Sequence, residues 1–166
     1  MSVEKLLTTL QPLLARIATL DVTKPAEAAA TLNREFPIAN LADLKALVRE
    51  GVAARWLCDR ENSGVRYSRV LKAGPTAPLS IDAVHMGTAG AAHTHPGGEF
   101  DLSFAVEGSP KFDGVPEGWV VYPPNSWHIP TVQGGVMDIL YFLPQGAMKF
   151  GDYAEGATKV GLQALT

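Results

Sequence analysis

Gly87-Thr88-Ala89-Gly90-Ala91-Ala92-His93-Thr94-His95-Pro96-Gly97-Gly98-Glu99 contains two of the chain's four histidines, one residue apart. Side chains on a strand alternate between faces, so residues two apart point the same way. His93 and His95 therefore aim at one point, and Thr94 aims away. Pro96, Gly97 and Gly98 form a turn cluster, and a short hairpin there brings Glu99 back beside the pair. Two imidazoles and a carboxylate converging from adjacent strands make a metal site with borderline-hard ligands. H-x-H alone is a weak signal, because exposed histidines two apart are common and a single Glu is usually a solvated carboxylate.

A third imidazole strengthens the pattern. His128 comes 29 residues after Glu99, behind the turn-rich run Tyr122-Pro123-Pro124-Asn125-Ser126-Trp127. Gly87, five residues, His93-x-His95, three residues and Glu99 match the first motif of the cupin superfamily without a gap. Gly118, Pro123, Asn125 and His128 resemble the second motif, with departures. Four residues, not five, separate Gly118 from Pro123, Asn125 stands where the family has Gly, and Val132 where it has Asn. The closing Gly of the first motif arrives late, as Gly108. Asn tolerates the left-handed backbone that a Gly would supply. The resemblance implies that His93, His95, Glu99 and His128 bind one divalent metal ion. His85 falls outside the pattern and reads as an ordinary strand histidine.

At 166 residues the chain is one compact domain with room for appendages. With 46% hydrophobic residues it can bury a sizeable core. A net charge of −3 has the wrong sign for a nucleic-acid footprint. The single cysteine, Cys58, rules out an intrachain disulfide framework and suits a reducing cytoplasm; it reads as a small buried hydrophobe. Neither a basic start followed by an apolar run nor a stretch of about 18 apolar residues is visible. A cytoplasmic protein without a membrane partner is expected.

Residues 3–20 read as an amphipathic helix, with Leu6, Leu10, Leu13, Ile17 and Leu20 at spacings of three and four. Pro12 is expected to kink or restart it. Thr23 and Pro25 start a second helix that Pro37 ends. Asn40 caps a third, with Asp43 near its first amides and Gly51 as terminator. Residues 1–50 thus form a helical region that packs on its own barrel or on a partner subunit. From residue 51 to 150 the texture changes to short runs rich in Val, Ile and aromatics, punctuated by Gly, Pro, Asn and Asp. Expected strands are 52–57, 65–72, 79–86, 92–95, 99–106, 119–122, 128–132 and 136–143, with hairpin signals at Asp113-Gly114 and Gly134-Gly135. The fold class is mainly β: a cupin double-stranded β-helix, or jelly-roll barrel, preceded by helices. Residues 151–166 read as a weakly patterned tail.

On the strand that starts at Glu99, Asp101 and Ser103 share the face of Glu99. If Glu99 meets a metal, Asp101 lies beside it as a candidate catalytic proton shuttle. The opposite face, Phe100, Leu102, Phe104 and Val106, is apolar and needs cover from the helices or from a second subunit, so a homodimer is expected. Arg66 and Arg69 are candidates to bind a substrate carboxylate, the alternative being solvated surface cations. Trp127 could stack on an aromatic substrate or pack the hairpin. Tyr67, Tyr122 and Tyr141 are possible proton donors.

Three imidazoles and a carboxylate leave positions open on an octahedral ion, which suits Fe(II) best, with Mn(II), Ni(II) or Zn(II) as alternatives. Cupins host many activities, so the fold alone does not name one. A closer resemblance covers most of the chain. The helical start, R-x-x-R at Arg66–Arg69, H-T-H-P-G-G-E at 93–99, G-W-V-V-Y-P-P-N-S-W-H-I-P-T-V-Q-G-G at 118–135 and L-Y-F-L-P-Q-G at 140–146 look like the bacterial 4-hydroxylaminobenzoate lyase family. That resemblance implies conversion of an aryl hydroxylamine carboxylate to a catechol and ammonia. Two other readings stay open: a cupin dioxygenase acting on a small aromatic or diketone, and a non-enzymatic small-molecule-binding cupin.

Overall fold

The computed structural model describes residues 2–165. Three α-helices come first: α1 (Val3–Ile17), α2 (Pro25–Glu35) and α3 (Ala42–Ala53). The strands follow as β1 (Arg60–Asn62), β2 (Val65–Leu71), β3 (Leu79–Met86), β4 (His93–His95), β5 (Glu99–Phe112), β6 (Gly118–Tyr122), β7 (Ser126–His128), β8 (Val132–Pro144), β9 (Lys149–Phe150) and β10 (Thr158–Lys159). They make a six-stranded sheet in the order β1-β2-β3-β8-β5-β6 and a four-stranded sheet in the order β10-β7-β4-β9. Non-consecutive neighbours in both sheets, with chain crossing from one sheet to the other, give the expected jelly roll.

Strand parity divides the large sheet into two faces. Phe100, Leu102, Phe104, Trp119, Leu140 and Phe142 share one core with the apolar stripes of α1, α2 and α3. The residues between them, including Val120, Tyr122, Ile139 and Tyr141, form a second core inside the barrel with Met86, Phe112 and Met137. The chain's own helices therefore cover the apolar face of β5, leaving Phe100, Leu102 and Phe104 at most 2% exposed. Only Val106, 37% exposed, reaches solvent there. That face makes no demand for a second subunit, and the expected homodimer loses this motive.

Polar bridges fix how the helices sit on the sheet. Asn33 of α2 caps the β6 backbone: its Nδ2 donates to Trp119 O (3.3 Å), and its Oδ1 accepts from Trp119 N (3.2 Å). Trp119 Nε1 donates to Phe36 O at 3.0 Å. From α3, Lys45 meets Glu117 at 2.8 Å and Arg49 meets the buried Asp138 at 2.9 Å. His85 is the other partner of Asp138, at 2.7 Å, so it serves as a strand histidine on the helix side.

Several expected boundaries move. Pro12 does not restart α1, which continues through it to Ile17. Asn40 closes a 3-10 turn (Ile38–Asn40), and Leu41 occupies the N-cap of α3 without a side-chain cap. The expected strand 52–57 is absent: α3 runs through Gly51 to Ala53 and the chain then turns, with Arg55 and Cys58 at positive φ. Gly51 serves this return by its smallness, since a Cβ there would stand 2.7 Å from Leu57 Cδ1. Burial first, then the charge of Asp138, pushes the Cys58 thiol up to about 12. Asp113-Gly114 is a two-residue hairpin with both residues at positive φ (49° and 85°), as a type I′ turn requires. Gly134-Gly135 is not a turn. β8 runs straight through it opposite an irregularity in β5, where a Cβ on Gly135 would fall 1.9 Å from Glu107 O. The expected 128–132 strand splits, with His128 ending β7 and Val132 opening β8. The C-terminal segment is built into the fold: β10 pairs in parallel with β7, and a 3-10 helix, Gly161–Leu165, follows.

Candidate metal centre

Four candidate ligand side chains converge inside the barrel. β4 and β7 pair antiparallel with His93 opposite His128 and His95 opposite Ser126, so all four share the inward face. Gly98, at φ 83°, closes the turn after His95, and Glu99 opens β5 beside it. One ligand atom from each of His93, His95, Glu99 and His128 falls within 4.8 Å of every other. His93 Nε2 lies 2.8 Å from His95 Nε2 and 3.1 Å from His128 Nε2, and Glu99 Oε2 lies 3.0 Å from His95 Nε2. All four residues are at most 3% exposed.

The far side of each ring explains why the Nε2 atoms meet. His93 Nδ1 stands 2.9 Å from Ala91 O, His95 Nδ1 2.9 Å from Ser126 Oγ, and His128 Nδ1 2.5 Å from Asp113 Oδ2. A carbonyl and a carboxylate only accept, so Nδ1 of His93 and of His128 carries the proton and Nε2 presents a lone pair. Buried lone pairs facing one another at hydrogen-bond distance need a cation between them. With metal–nitrogen bonds of about 2.1 Å, ligands at right angles stand about 3.0 Å apart, which is the spacing here. Burial holds the His93 imidazole down at about 4, in the neutral form a metal requires.

The Glu99 and Asp101 carboxyls shift in opposite directions although they are neighbours on one face. Burial opposes the Glu99 charge, but the His95 imidazole outweighs it and the Glu99 carboxyl is lowered. Asp101 is pushed well above the ordinary carboxylate range, first by burial and then by the charge of Glu99. Apart from the His95 contact and the contact between the two carboxyl groups themselves, the oxygens of both have no hydrogen-bond donor. Orphaned buried carboxylate oxygens are what an absent cation would leave. Asp101 sits level with Val120 and Tyr141 on the neighbouring strands. A carboxyl pushed above the ordinary range beside one lowered below it is an arrangement that separates acid and base roles between two carboxyl groups.

The other candidate residues separate. Arg66 lies on the helix side, where its Nε donates to Cys58 O at 3.1 Å and its Nη2 to Val52 O at 2.9 Å. It is a staple for the end of α3, away from the barrel interior. Arg69 pairs with Asp82, directly opposite it on β3. That position has the parity of Tyr67 and Val84, the face of the inner core, and 47% of the Arg69 side chain is exposed. Trp127 alternates with Ser126 and His128 and so turns outward. Its indole N–H donates to Gly151 O at 2.9 Å, and its ring meets the edge of Tyr153. It packs the C-terminal segment and does not face the imidazoles. Tyr122 donates to Asp113 Oδ2 at 2.6 Å, with its ring stacked on that of His95; it supports the ligands. Tyr141 is buried near Asp101, and Tyr67 is exposed.

Three residues at the site carried no sequence signal for it. Asp113 was legible only as half of a turn, and Ser126 only as a turn residue. Phe150 faces His93 across β4–β9, with its ring 5.7 Å from that imidazole, yet it is 67% exposed. Residues opposite one another in a ladder share a face, so Phe150 stands at a rim of the barrel.

A two-sheet jelly roll with three imidazoles and a carboxylate gathered inside it is a cupin with a site able to hold a metal ion. The family model for 4-hydroxylaminobenzoate lyase matches residues 8–150, and the chain belongs to that family. A 4-hydroxylaminobenzoate lyase from Nocardioides sp. (strain LMS-CY) is 33% identical over 115 residues, spanning 63% of this chain and 68% of the relative. One from Pseudomonas putida is 30% identical over 132 residues, spanning 68% and 75%. Among solved structures, a cupin-2 domain from Rhodospirillum rubrum superposes with a TM-score of 0.42 at 14% identity, covering 61% of this chain and 76% of that one.

Proposed function

We infer that the chain is a metal-dependent lyase converting 4-hydroxylaminobenzoate, or a close ring-substituted relative, to the corresponding catechol (3,4-dihydroxybenzoate for the parent acid) and ammonia. The observation that carries this reading is the fully buried Asp101 carboxyl held on the inward face next to a four-residue site able to hold a metal, inside a member of this family. The overall change adds water and loses ammonia: the N–O and C–N bonds break, and two C–O bonds form on the ring, one at the carbon that held nitrogen and one beside it. No net oxidation occurs, so neither O2 nor a nicotinamide is needed.

His93, His95, Glu99 and His128 would hold the ion, with Fe(II) or Mn(II) fitting the mixed imidazole–carboxylate set best. When bound, a divalent metal supplies Lewis acidity and water activation. Asp101, buried and aimed inward, donates its proton to the oxygen leaving the substrate nitrogen, and the carboxylate it becomes can take one back from the entering water. Arg69, on the inner face and reachable from solvent, pairs with the substrate carboxylate. The apolar strands around the site limit the entry of other water.

The test is anaerobic turnover of 4-hydroxylaminobenzoate by metal-loaded protein in H2-18-O. Catechol and ammonia should form in equal amounts, with both ring hydroxyl oxygens labelled, because the oxygen that leaves nitrogen departs as water and both ring oxygens enter from solvent. Label arriving from 18-O2, or a strict need for O2, would replace the lyase by a dioxygenase.

A further inference from the structure

We propose that Asp113 is the positioning residue that sets the tautomer and angle of the ligand His128, and that the C-terminal segment from Thr158 to Gln163 is the clamp holding Asp113 in place. The assignment rests on His128 being a metal ligand.

Asp113 is only 6% exposed, and both of its oxygens are committed. Oδ1 accepts the backbone N–H of Thr131 at 2.9 Å. Oδ2 accepts the Tyr122 hydroxyl at 2.6 Å and lies 2.5 Å from His128 Nδ1. The type I′ turn gives Asp113 a φ of 49°, which turns its side chain back toward β7. A His ligand whose other nitrogen donates to a carboxylate is fixed in tautomer and ring orientation.

The C-terminal segment closes over this carboxylate. Thr158 N donates to Asn125 O at 2.9 Å and Val160 N to Trp127 O at 3.0 Å. Gln163 Oε1 accepts from Ile129 N at 2.9 Å. These bonds bracket His128 in sequence and hold Gly161 against Asp113. Gly161 has φ 62°, and a Cβ added there would lie 2.6 Å from Asp113 Oδ2. Only a bare Cα fits between the segment and the atom that holds His128.

Asp113→Asn makes a directional demand. The Thr131 N–H keeps the amide oxygen in the Oδ1 position, and the Tyr122 hydroxyl rotates to accept from the amide N–H2, which then faces His128 Nδ1. His128 must then accept there and carry its proton on Nε2, pointing into the metal position. In metal-free protein, 15N NMR of the imidazoles should show the His128 proton on Nδ1 in wild type and on Nε2 in the variant. Affinity for Co(II), measured by chelator competition, should fall about 10- to 100-fold, with an altered Co(II) absorption spectrum. Gly161→Ala, which touches no ligand, should lower Co(II) affinity in the same direction and gives a second reading should Asp113→Asn not fold. A purely structural role would lower the melting temperature without moving the proton. Wild-type protein that binds no divalent metal overturns the metal reading and this assignment with it. Wild-type binding with unchanged tautomer and affinity in the variants overturns the assignment alone.

Discussion

His95 and Asp101 show how much one side chain's surroundings decide. His95 is fully buried with Nε2 turned to His93 and Glu99. His95→Ala removes one ligand in four, and metal content by elemental analysis should drop well below one ion per chain; full occupancy would take His95 out of the site. The Asp101 carboxyl is pushed up by burial and by the charge of Glu99. Asp101→Asn keeps the shape and loses the transferable proton. Its kcat should fall about 10²- to 10⁴-fold, the range for general acid–base catalysis, with KM nearly unchanged. A rise in KM at constant kcat would make Asp101 a binding residue.

Between elements, the two arginines that look alike in sequence separate by strand parity. Arg66 ties β2 to the last turn of α3, whose C-terminal carbonyls have no partner within the helix. Arg66→Ala leaves Val52 O and Cys58 O without these donors and should cost roughly 1–3 kcal/mol. For a domain of this size that is a fall in Tm of a few degrees, with KM unchanged. Arg69→Ala should add a kinetic effect: Asp82 loses its partner and Tm falls modestly, but the KM for the aromatic acid rises by about one to two decades, the worth of a charged hydrogen bond of roughly 1.5–3 kcal/mol. A neutral ester or amide analogue should be indifferent to it. Thermal scans and steady-state kinetics on the pair distinguish the two roles, and equal KM changes for acid and neutral analogue would make Arg69 structural.

Across the whole molecule, the helices and the large sheet share one core. Phe100, Leu102 and Phe104 each gain roughly 1.5–3 kcal/mol from burial, and α1–α3 provide the cover. Deleting residues 1–54 should therefore yield aggregated protein and no free barrel. A soluble, monomeric, cooperatively unfolding fragment by size exclusion and calorimetry would show that the barrel folds without its helices.

The four candidate metal ligands and the jelly roll were legible in the sequence because period-two alternation and turn residues are local properties. His93-x-His95, the Pro-Gly-Gly turn and the alternation of β5 specify their faces within a dozen residues. Asn125 at φ 60° likewise does what a Gly would do. Only the tertiary structure decided the rest. The faces of Arg66 and Arg69 follow from register with β3. Asp113 reaches His128 only because β5 turns at Gly114 and β7 ends beside it. Gly51 stays helical, and Gly134-Gly135 stays in a strand, because of what packs against them. Each of these depends on contacts between residues far apart in the chain, which propensity and spacing along one segment do not encode.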